Sequence, residues 1–529
     1  MKTVDYSVYL VTGRNLLPPN KEYLDSLEES IQGGVTIVQI REKELDTNEF
    51  IELARLSKII CDKYNVPLLI NDRVDVALAI GADGVHVGQK DMPVELVRKL
   101  LPPGSIVGVS CNTIAHVKEA VRSGVDYIGI GAVWGTQTKK LTEPIIGVRG
   151  VGAMLEELVG TNVKVVAIGG IKSMNLLRTL HGTMSMSDKA LDGVAIVSDI
   201  VASPVPRLAA KRLQKIYSEY RQYYDIHPFG VDQPASLTAD SVMTIASELM
   251  TETRTASPLI HQITNIVVTT QSANVTLAVG ASPIMATEPK EMQDMTRIAG
   301  ALLINIGSLH AHTAEAMLLA GAFANAFRKP VVFDPVGVGA SVYRKEHVRN
   351  LLDTFQVSVI KGNAGELAAL AGTTEVESKG VDSVGPGFKD PETFVKNLAI
   401  RERCVIVLTG PTDYISDGQR VAILQNGPEE LGRITGSGCI LGSLIASFCA
   451  TAALMARKDL TDVESRLILG DMFAAAITGV LVLTVAAELA VESGSVKGPG
   501  TFLPALIDSL WALTPEHIAQ KAKFAVKGI

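Results

Sequence analysis

The 529-residue chain is poor in cysteine, and its five cysteines follow no pattern. Cys61, Cys111, Cys404, Cys439 and Cys449 are scattered, odd in number and never paired as C-x-x-C. This excludes a disulfide framework and argues against structural zinc. A surplus of positive charge is also missing. The formal net charge of −7 gives no reason to expect nucleic acid or acidic lipid as a partner. The opening "MKTVDYSVYLVTGRN" lacks the apolar core of a secretory signal, so a cytoplasmic location is expected. Membrane spans are the last absence. Residues 472–487 are uncharged but number only 16, short of the ~20 a span needs. Residues 434–456 are long enough, yet are diluted by three glycines, three serines and two threonines. They read as a buried helix.

What is present is a globular balance of 20% charged and 47% apolar residues. The length suits two to four domains at ~100–200 residues each. Residues 1–200 alternate short apolar runs with helical stretches such as "NEFIELARLSKIICDKYN". The runs are YSVYLVTG, TIVQIREK, PLLINDRV, GVHVGQKD, SIVGVSC, DYIGIGAVW, KVVAIGGI and GVAIVSDI. Eight strand–helix units in about 200 residues predict a minimal (β/α)8 TIM barrel. A closing helix and a Pro- and Ser-bearing linker follow. Residues 241–529 form a second α/β domain, with strands at ALLINIG, PVVFDPVG, VSVIKGN and CVIVLTG, ending in two long apolar helices. The expected boundaries are 1–225 for the barrel and 226–240 for the linker. An extended surface loop is expected at 181–191.

Barrel active sites sit where the strands end. Gln39, Arg41 and Lys43 alternate at the end of the second run and share a face. Asn71 and Asp72 end the third run, Asp91 follows the fourth, and Ser110 ends the fifth. Asp72 and Asp91 suit Mg²⁺, which takes one or two carboxylates plus substrate phosphate. Thr136, Thr138 and Lys139 follow the sixth run. Gly170, Val197 and Ser198 end the last two, where barrels commonly bind phosphate. His86 reads as structural. "GGIKS" lacks the glycine a nucleotide P-loop needs before Lys172.

The motifs QIREK, IND, HVGQKD, GVSCN, TQTK, AIGGI and VSDI, in this order, resemble thiamine-phosphate synthase across about 200 residues. The resemblance implies joining a hydroxymethylpyrimidine diphosphate to a thiazole phosphate, with release of pyrophosphate. It places Gln39 and Asn71 at the pyrimidine and Ser110 near the pyrophosphate. Arg41, Lys43, Lys139 and Mg²⁺ on Asp72 and Asp91 would stabilise the departing group. Thr136, Thr138, Gly170, Val197 and Ser198 would hold the thiazole phosphate. Gly135 stands where many relatives carry Pro.

In the second half FDPVG, KGNAGEL, VLTG and ITGSGC occur in an order that resembles a ribokinase-like kinase, specifically hydroxyethylthiazole kinase. "HQITNIVVTTQSANVTLAVGASPIM" and "KGPGTF" strengthen the match. This implies ATP-dependent phosphorylation of a thiazole alcohol. Asp334 and Glu366 would organise Mg²⁺. Lys361, Thr409, Gly410, Gly436 and Gly438 would contact ATP. Asn265, Val267, Met285 and Cys439 would hold the alcohol. Lys361 replaces an Arg frequent in bacterial relatives, which removes a bidentate fork. Related sugar kinases place an Asp base where Cys439 stands, and a thiol at a helix N-terminus is expected to have a lowered pKa, so Cys439 is a candidate catalytic base for the alcohol proton. The kinase family further implies a homo-oligomer built on a trimer. Together the halves imply a bifunctional enzyme of thiamine assembly. The alternative, one domain serving only as a ligand sensor, would show lost metal carboxylates or cations. Asp72, Asp91, Lys139, Asp334 and Glu366 are all present.

Overall fold

The computed structural model describes residues 4–136, 138, 143–226, 238–379, 382–384, 387–459, 466–467 and 469–528. The chain divides into two compact units, Met1–Ile226 and His227–Ile529.

In the first unit the eight apolar runs become eight short strands. They are β1 (Val8–Val11), β2 (Ile37–Ile40), β3 (Leu68–Asn71), β4 (Gly84–Val87), β5 (Ile106–Cys111), β6 (Tyr127–Ile130), β7 (Lys164–Ile168) and β8 (Gly193–Ile196). All pair in parallel, and β8 returns to β1 to close the barrel. Closure leaves no open edge. Parallel strands covered on both faces explain why these strands are mostly apolar, with Gln39, Asn71, His86 and Ser110 near their C-terminal ends. Helix Pro206–Ile226 closes the unit through Tyr217, Tyr220, Tyr223 and Tyr224, all buried.

That helix also corrects the reading of residues 181–191 as an extended surface loop. His181 and Gly182 end the helix Leu176–Gly182, and His181, Thr183, Ser185 and Leu191 are buried. The Nδ1 of His181 lies 2.6 Å from the Tyr224 hydroxyl, and the Tyr217 hydroxyl donates to Asp192 O at 2.8 Å. The polar "HGTMSMS" stretch looked solvent-exposed because partners of His181 and Ser187, Tyr224 and Glu156, lie 43 residues downstream and 31 upstream.

The second unit is built on a nine-stranded mixed sheet. Its strands are β9 (Leu259–Ile263), β10 (Ser282–Ile284), β11 (Ala301–Asn305), β12 (Val331–Asp334) and β13 (Val359–Asn363). A separate hairpin, β14 (Glu377–Lys379) and β15 (Asp382–Val384), follows. The sheet resumes with β16 (Val405–Thr409), β17 (Asp413–Ser416), β18 (Arg420–Leu424) and β19 (Phe524–Gly528). The order is β10-β9-β11-β12-β13-β16-β17-β18-β19, parallel as far as β16 and antiparallel beyond. The expectation that this domain ends in two long apolar helices is corrected. Helices Pro499–Ala512 and Pro515–Lys521 follow them, and β19 pairs with β18.

The apolar helices Ser437–Asp459 and Met472–Glu492 pack on each other against one face of the sheet. Each is apolar enough to cross a membrane, yet 83% of each apolar window is buried inside the protein. Small residues let the first helix approach closely. A Cβ on Gly442 would come within 3.1 Å of Leu303 Cδ1, and Ser443 Oγ donates to Gln262 Oε1 at 2.8 Å.

Candidate functional sites

The barrel strands converge on a cavity of about 200 Å³. Gln39, Arg41, Asn71, Ser110, Thr136, Thr138, Gly170, Val197 and Ser198 all line it. These residues come from six strand ends, so only barrel closure brings them together. Lys43 stands beside the group, with Nζ 3.2 Å from Asp72 Oδ2. Lys139 lies outside the described residues.

Asp72 faces Asp91 within hydrogen-bonding reach of its carboxyl. Burial first, then Asp91, raises the Asp72 pKa, while Lys43 opposes the rise. Asp91 Oδ2 also accepts from Gly88 N at 2.8 Å. Asp72 is held at φ +63°, a conformation costly for a non-glycine residue. Two carboxylates forced together at a strained strand end fit a divalent cation, which would remove their mutual repulsion.

Sequence reasoning missed one feature of this site. Gln39 Nε2 donates to Tyr9 Oη at 2.7 Å, and Tyr9 Oη is 2.7 Å from Tyr127 Oη. Tyr127 Oη is 2.8 Å from His86 Nδ1, and His86 Nε2 is 2.9 Å from Ser110 Oγ. Tyr9 and Tyr127 had been absorbed into apolar runs. The available signal was that a tyrosine facing a packed barrel interior needs a partner for its hydroxyl.

In the second unit the chemistry gathers where β9, β11, β12 and β13 end, at the start of helix Ser437–Asp459. Lys361 Nζ donates to Asp334 Oδ1 at 2.9 Å and to Gly438 O at 3.0 Å. Asn305 Nδ2 donates to Asp334 Oδ2 at 2.7 Å. Asn265 Nδ2 donates to Asn305 Oδ1 at 3.0 Å and to Cys439 Sγ at 3.3 Å. The structure thus joins Asn265, Asp334, Lys361, Gly438 and Cys439 in one network. Lys361 is 3% exposed and Asp334 fully buried. Burial works against the Lys361 charge, but Asp334 and then Glu366 hold its pKa above the ordinary value. The ammonium therefore faces inward, and contact with ATP would require it to exchange partners.

Glu366 closes a capping box. Its N–H donates to Asn363 Oδ1 at 3.0 Å, and its Oε2 accepts from Asn363 N at 2.9 Å. Oε1 accepts from Gly337 N at 3.0 Å. Burial raises its pKa to about 7, against the pull of Lys361. All four oxygens of Asp334 and Glu366 thus have protein donors, and Asp334 does not fit as a direct metal ligand while Lys361 holds it. Among the described residues no cluster of three or more His, Cys, Asp or Glu could hold a metal ion.

The expected lowering of the Cys439 pKa is corrected. Burial pushes the thiol up to about 11, Asp334 adds to the rise, and Lys361 opposes it. Desolvation is the largest of these effects, and the Lys361 charge and the amide of Asn265 do not offset it. Gly436 adopts φ +83°, and a Cβ there would lie 2.2 Å from Val268 Cγ1. Thr409 ends β16, and Gly410 N donates to Asp413 Oδ1 at 3.0 Å. Met285 is partly buried just after β10, whereas Val267 is 57% exposed.

Comparison with known proteins follows this division. The thiamine monophosphate synthase family matches residues 8–200, and the hydroxyethylthiazole kinase family matches residues 250–516. A probable thiamine biosynthetic bifunctional enzyme of Schizosaccharomyces pombe is 38% identical over 536 residues, covering 98% of this chain and 96% of its own. The thiamine biosynthetic bifunctional enzyme of Saccharomyces cerevisiae is 38% identical over 557 residues, covering 99% and 98%. A hydroxyethylthiazole kinase of Histophilus somni is 43% identical over 279 residues, covering 53% of this chain and 98% of its own. The chain belongs to the thiamine biosynthetic bifunctional enzymes, a thiamine monophosphate synthase followed by a hydroxyethylthiazole kinase.

Proposed function

We propose that the two units catalyse consecutive steps. The second unit, read as ribokinase-like, transfers the ATP γ-phosphoryl to the hydroxyl of 4-methyl-5-(2-hydroxyethyl)thiazole. The barrel then joins that phosphate to 4-amino-2-methyl-5-hydroxymethylpyrimidine diphosphate, giving thiamine phosphate and pyrophosphate. The observation that carries the barrel assignment is the shared cavity of Gln39, Arg41, Asn71, Ser110, Thr136, Thr138, Gly170 and Ser198, flanked by the Asp72–Asp91 pair.

In the barrel, Gln39 and Asn71 orient the pyrimidine. Arg41, Lys43 and Lys139 stabilise charge growing on the diphosphate as its C–O bond to the methylene breaks. Asp72 and Asp91 are the residues that would hold Mg²⁺, which would supply further neutralisation of that diphosphate. The thiazole nitrogen captures the methylene, held there through its phosphate by Thr136, Thr138, Gly170, Val197 and Ser198.

In the kinase, Asn265, Val267 and Met285 hold the alcohol, and Thr409, Gly410, Gly436 and Gly438 approach ATP. The first N–H groups of a helix lack intrahelical partners and attract anions, and Gly436 and Gly438 leave them accessible to the transferring phosphoryl. Cys439 is a neutral thiol near pH 7, so it positions the alcohol rather than taking its proton as a thiolate. Lys361 serves through Asp334 and Gly438, and Glu366 through the loop at Gly337. Ile266 and Val267, 76% and 57% exposed beside Asn265, support an interface between copies and hence a homo-oligomer built on a kinase trimer. A cytoplasmic enzyme acting on small molecules, without nucleic-acid or membrane partners, is the accompanying proposal.

One assay tests the scheme. Thiazole alcohol, ATP, Mg²⁺ and pyrimidine diphosphate are supplied together, and thiamine phosphate is measured. Asp91→Ala is expected to accumulate thiazole phosphate. Glu366→Ala is expected to need preformed thiazole phosphate. Product formation by wild type from preformed thiazole phosphate only would reduce the second unit to a sensor. Full kinase turnover by a strictly monomeric species in sedimentation would remove the oligomer.

A further inference from the structure

The hydroxyls of Tyr9 and Tyr127 and the His86 ring lie in a chain whose two ends differ. One end is Gln39 Nε2, which can only donate. The other is Ser110 Oγ, at the cavity wall. Tyr9 is 1% exposed, and among the described residues its hydroxyl has two hydrogen-bond neighbours, Gln39 Nε2 and Tyr127 Oη. Because Gln39 donates, the Tyr9 proton has one acceptor, Tyr127. The Tyr127 proton must then go to His86 Nδ1. An imidazole accepting at Nδ1 carries its proton on Nε2, and that proton goes to Ser110 Oγ. The Ser110 proton is left to point into the cavity. The reverse direction fails at one place. If Ser110 donated to His86 and His86 to Tyr127, Tyr9 would receive two protons and have no acceptor for its own. A buried donor without an acceptor is costly, so the first ordering is selected.

The barrel makes room for this chain. A Cβ on Gly108 would lie 2.1 Å from the Tyr127 ring, and one on Gly129 would lie 3.2 Å from His86 Cε1. Two strands thus give up side chains where the two rings sit.

We infer that Gln39, Tyr9, Tyr127 and His86 form a directional hydrogen-bond wire that fixes Ser110 as a donor toward the anionic substrate. Tyr9, Tyr127 and His86 are positioning residues for the synthase reaction. The inference rests on the reading above in which Ser110 meets the diphosphate. A hydroxyl free to turn could present either its proton or its lone pairs. The wire removes that choice before substrate arrives, which is the preorganisation that stabilises developing negative charge.

The test is the tautomer of His86 in the full-length protein labelled with [15N]histidine, its signal identified by loss in His86→Gln. Wild type is expected to carry the proton on Nε2. Gln39→Glu replaces the terminal donor by an acceptor and is expected to reverse every bond, moving the proton to Nδ1. Tyr127→Phe interrupts the wire and is expected to leave a mixture. A proton on Nδ1 in wild type overturns the inference without any variant. An unchanged tautomer in Gln39→Glu, or a pure Nε2–H form in Tyr127→Phe, also overturns it. In turnover, Tyr127→Phe is expected to lower kcat/KM for the diphosphate roughly tenfold. It should cost nothing further in a Ser110→Ala background. Equal losses in both backgrounds would show that Tyr127 does not act through Ser110. Unchanged kcat/KM in Ser110→Ala, with the expected tautomers, would remove instead the diphosphate contact.

Discussion

Lys361→Met should destabilise the kinase unit by removing the one full positive charge that, among the described residues, is bonded to Asp334. The pair is 2.9 Å apart, with side chains 4% and 0% exposed. Removing one partner of such a pair typically costs about 3–5 kcal/mol, because the remaining charge is stranded. Asn305 still donates to Asp334, which places the expected loss toward the lower end of that range. In a unit of this size that is a fall on the order of 10 °C in Tm. The variant should also show a stronger pH dependence, because burial already raises the Asp334 pKa against the pull of Lys361 and losing Lys361 raises it further. Without Lys361, burial raises the folded pKa of Asp334 above its unfolded value, so the native state keeps a proton that the unfolded chain releases. Stability then falls as pH rises from about 4, and the deficit is smallest in acid. Lys361→Met combined with Asp334→Leu should recover all but about 1–2 kcal/mol, the residue being the amide of Asn305 left without its acceptor. The assay is urea unfolding between pH 5 and 8, with the barrel transition as an internal reference. A loss below about 1 kcal/mol in the single variant would refute the reasoning. So would a double variant no more stable than the single one.

Four other outcomes are expected. Asp413 is buried, and burial raises its pKa from 3.8 to about 7. Native stability therefore declines between about pH 4 and 7 on its account, and Asp413→Asn should gain on the order of 1–3 kcal/mol relative to wild type at pH 8 and little at pH 4, read by chemical denaturation. Cys439, with its thiol near 11, should react with iodoacetamide at pH 8 at least tenfold more slowly than free cysteine. Cys439→Ala should lower kinase turnover without abolishing it, and an unchanged rate would deny the residue any role. Gly436→Ala meets Val268 and a left-handed backbone at once, so a loss of about 1–3 kcal/mol or a collapse of kinase turnover is expected, with synthase turnover as the control.

The barrel was legible because each strand is a short, mostly apolar run with its polar chemistry near or just beyond its C-terminal end. A parallel strand buried on both faces can place polar chemistry only at its end. That rule located Gln39, Asn71 and Ser110. It did not reveal Tyr9 or Tyr127, since an aromatic inside an apolar run looks like packing until its hydroxyl partner is seen. In the second unit Asp334 and Lys361 were each found at strand ends, but their pairing depends on adjacent strands β12 and β13 and could not be read along the chain. Glu366 is instructive. Asn363 and Glu366 at that spacing are the signature of a capping box, and the structure forms one. The Cys439 pKa was misjudged because a helix terminus is visible in sequence, whereas the desolvation that outweighs it is not. Strand β19 escaped notice because its partner β18 lies about 100 positions earlier in the chain.

The two apolar helices of the kinase unit have a consequence for biosynthesis. Each would pass as a transmembrane segment by length and hydropathy. Chain order sets when each one leaves the ribosome. Strands β9 to β18, whose face they cover, all precede Ser437. Domains generally fold in order of emergence. By the time the first helix is exposed, the sheet strands that it covers have already been synthesised. Moving this helix pair ahead of the sheet, with the same contacts in the finished fold, would expose two span-like segments before any protein surface could shelter them.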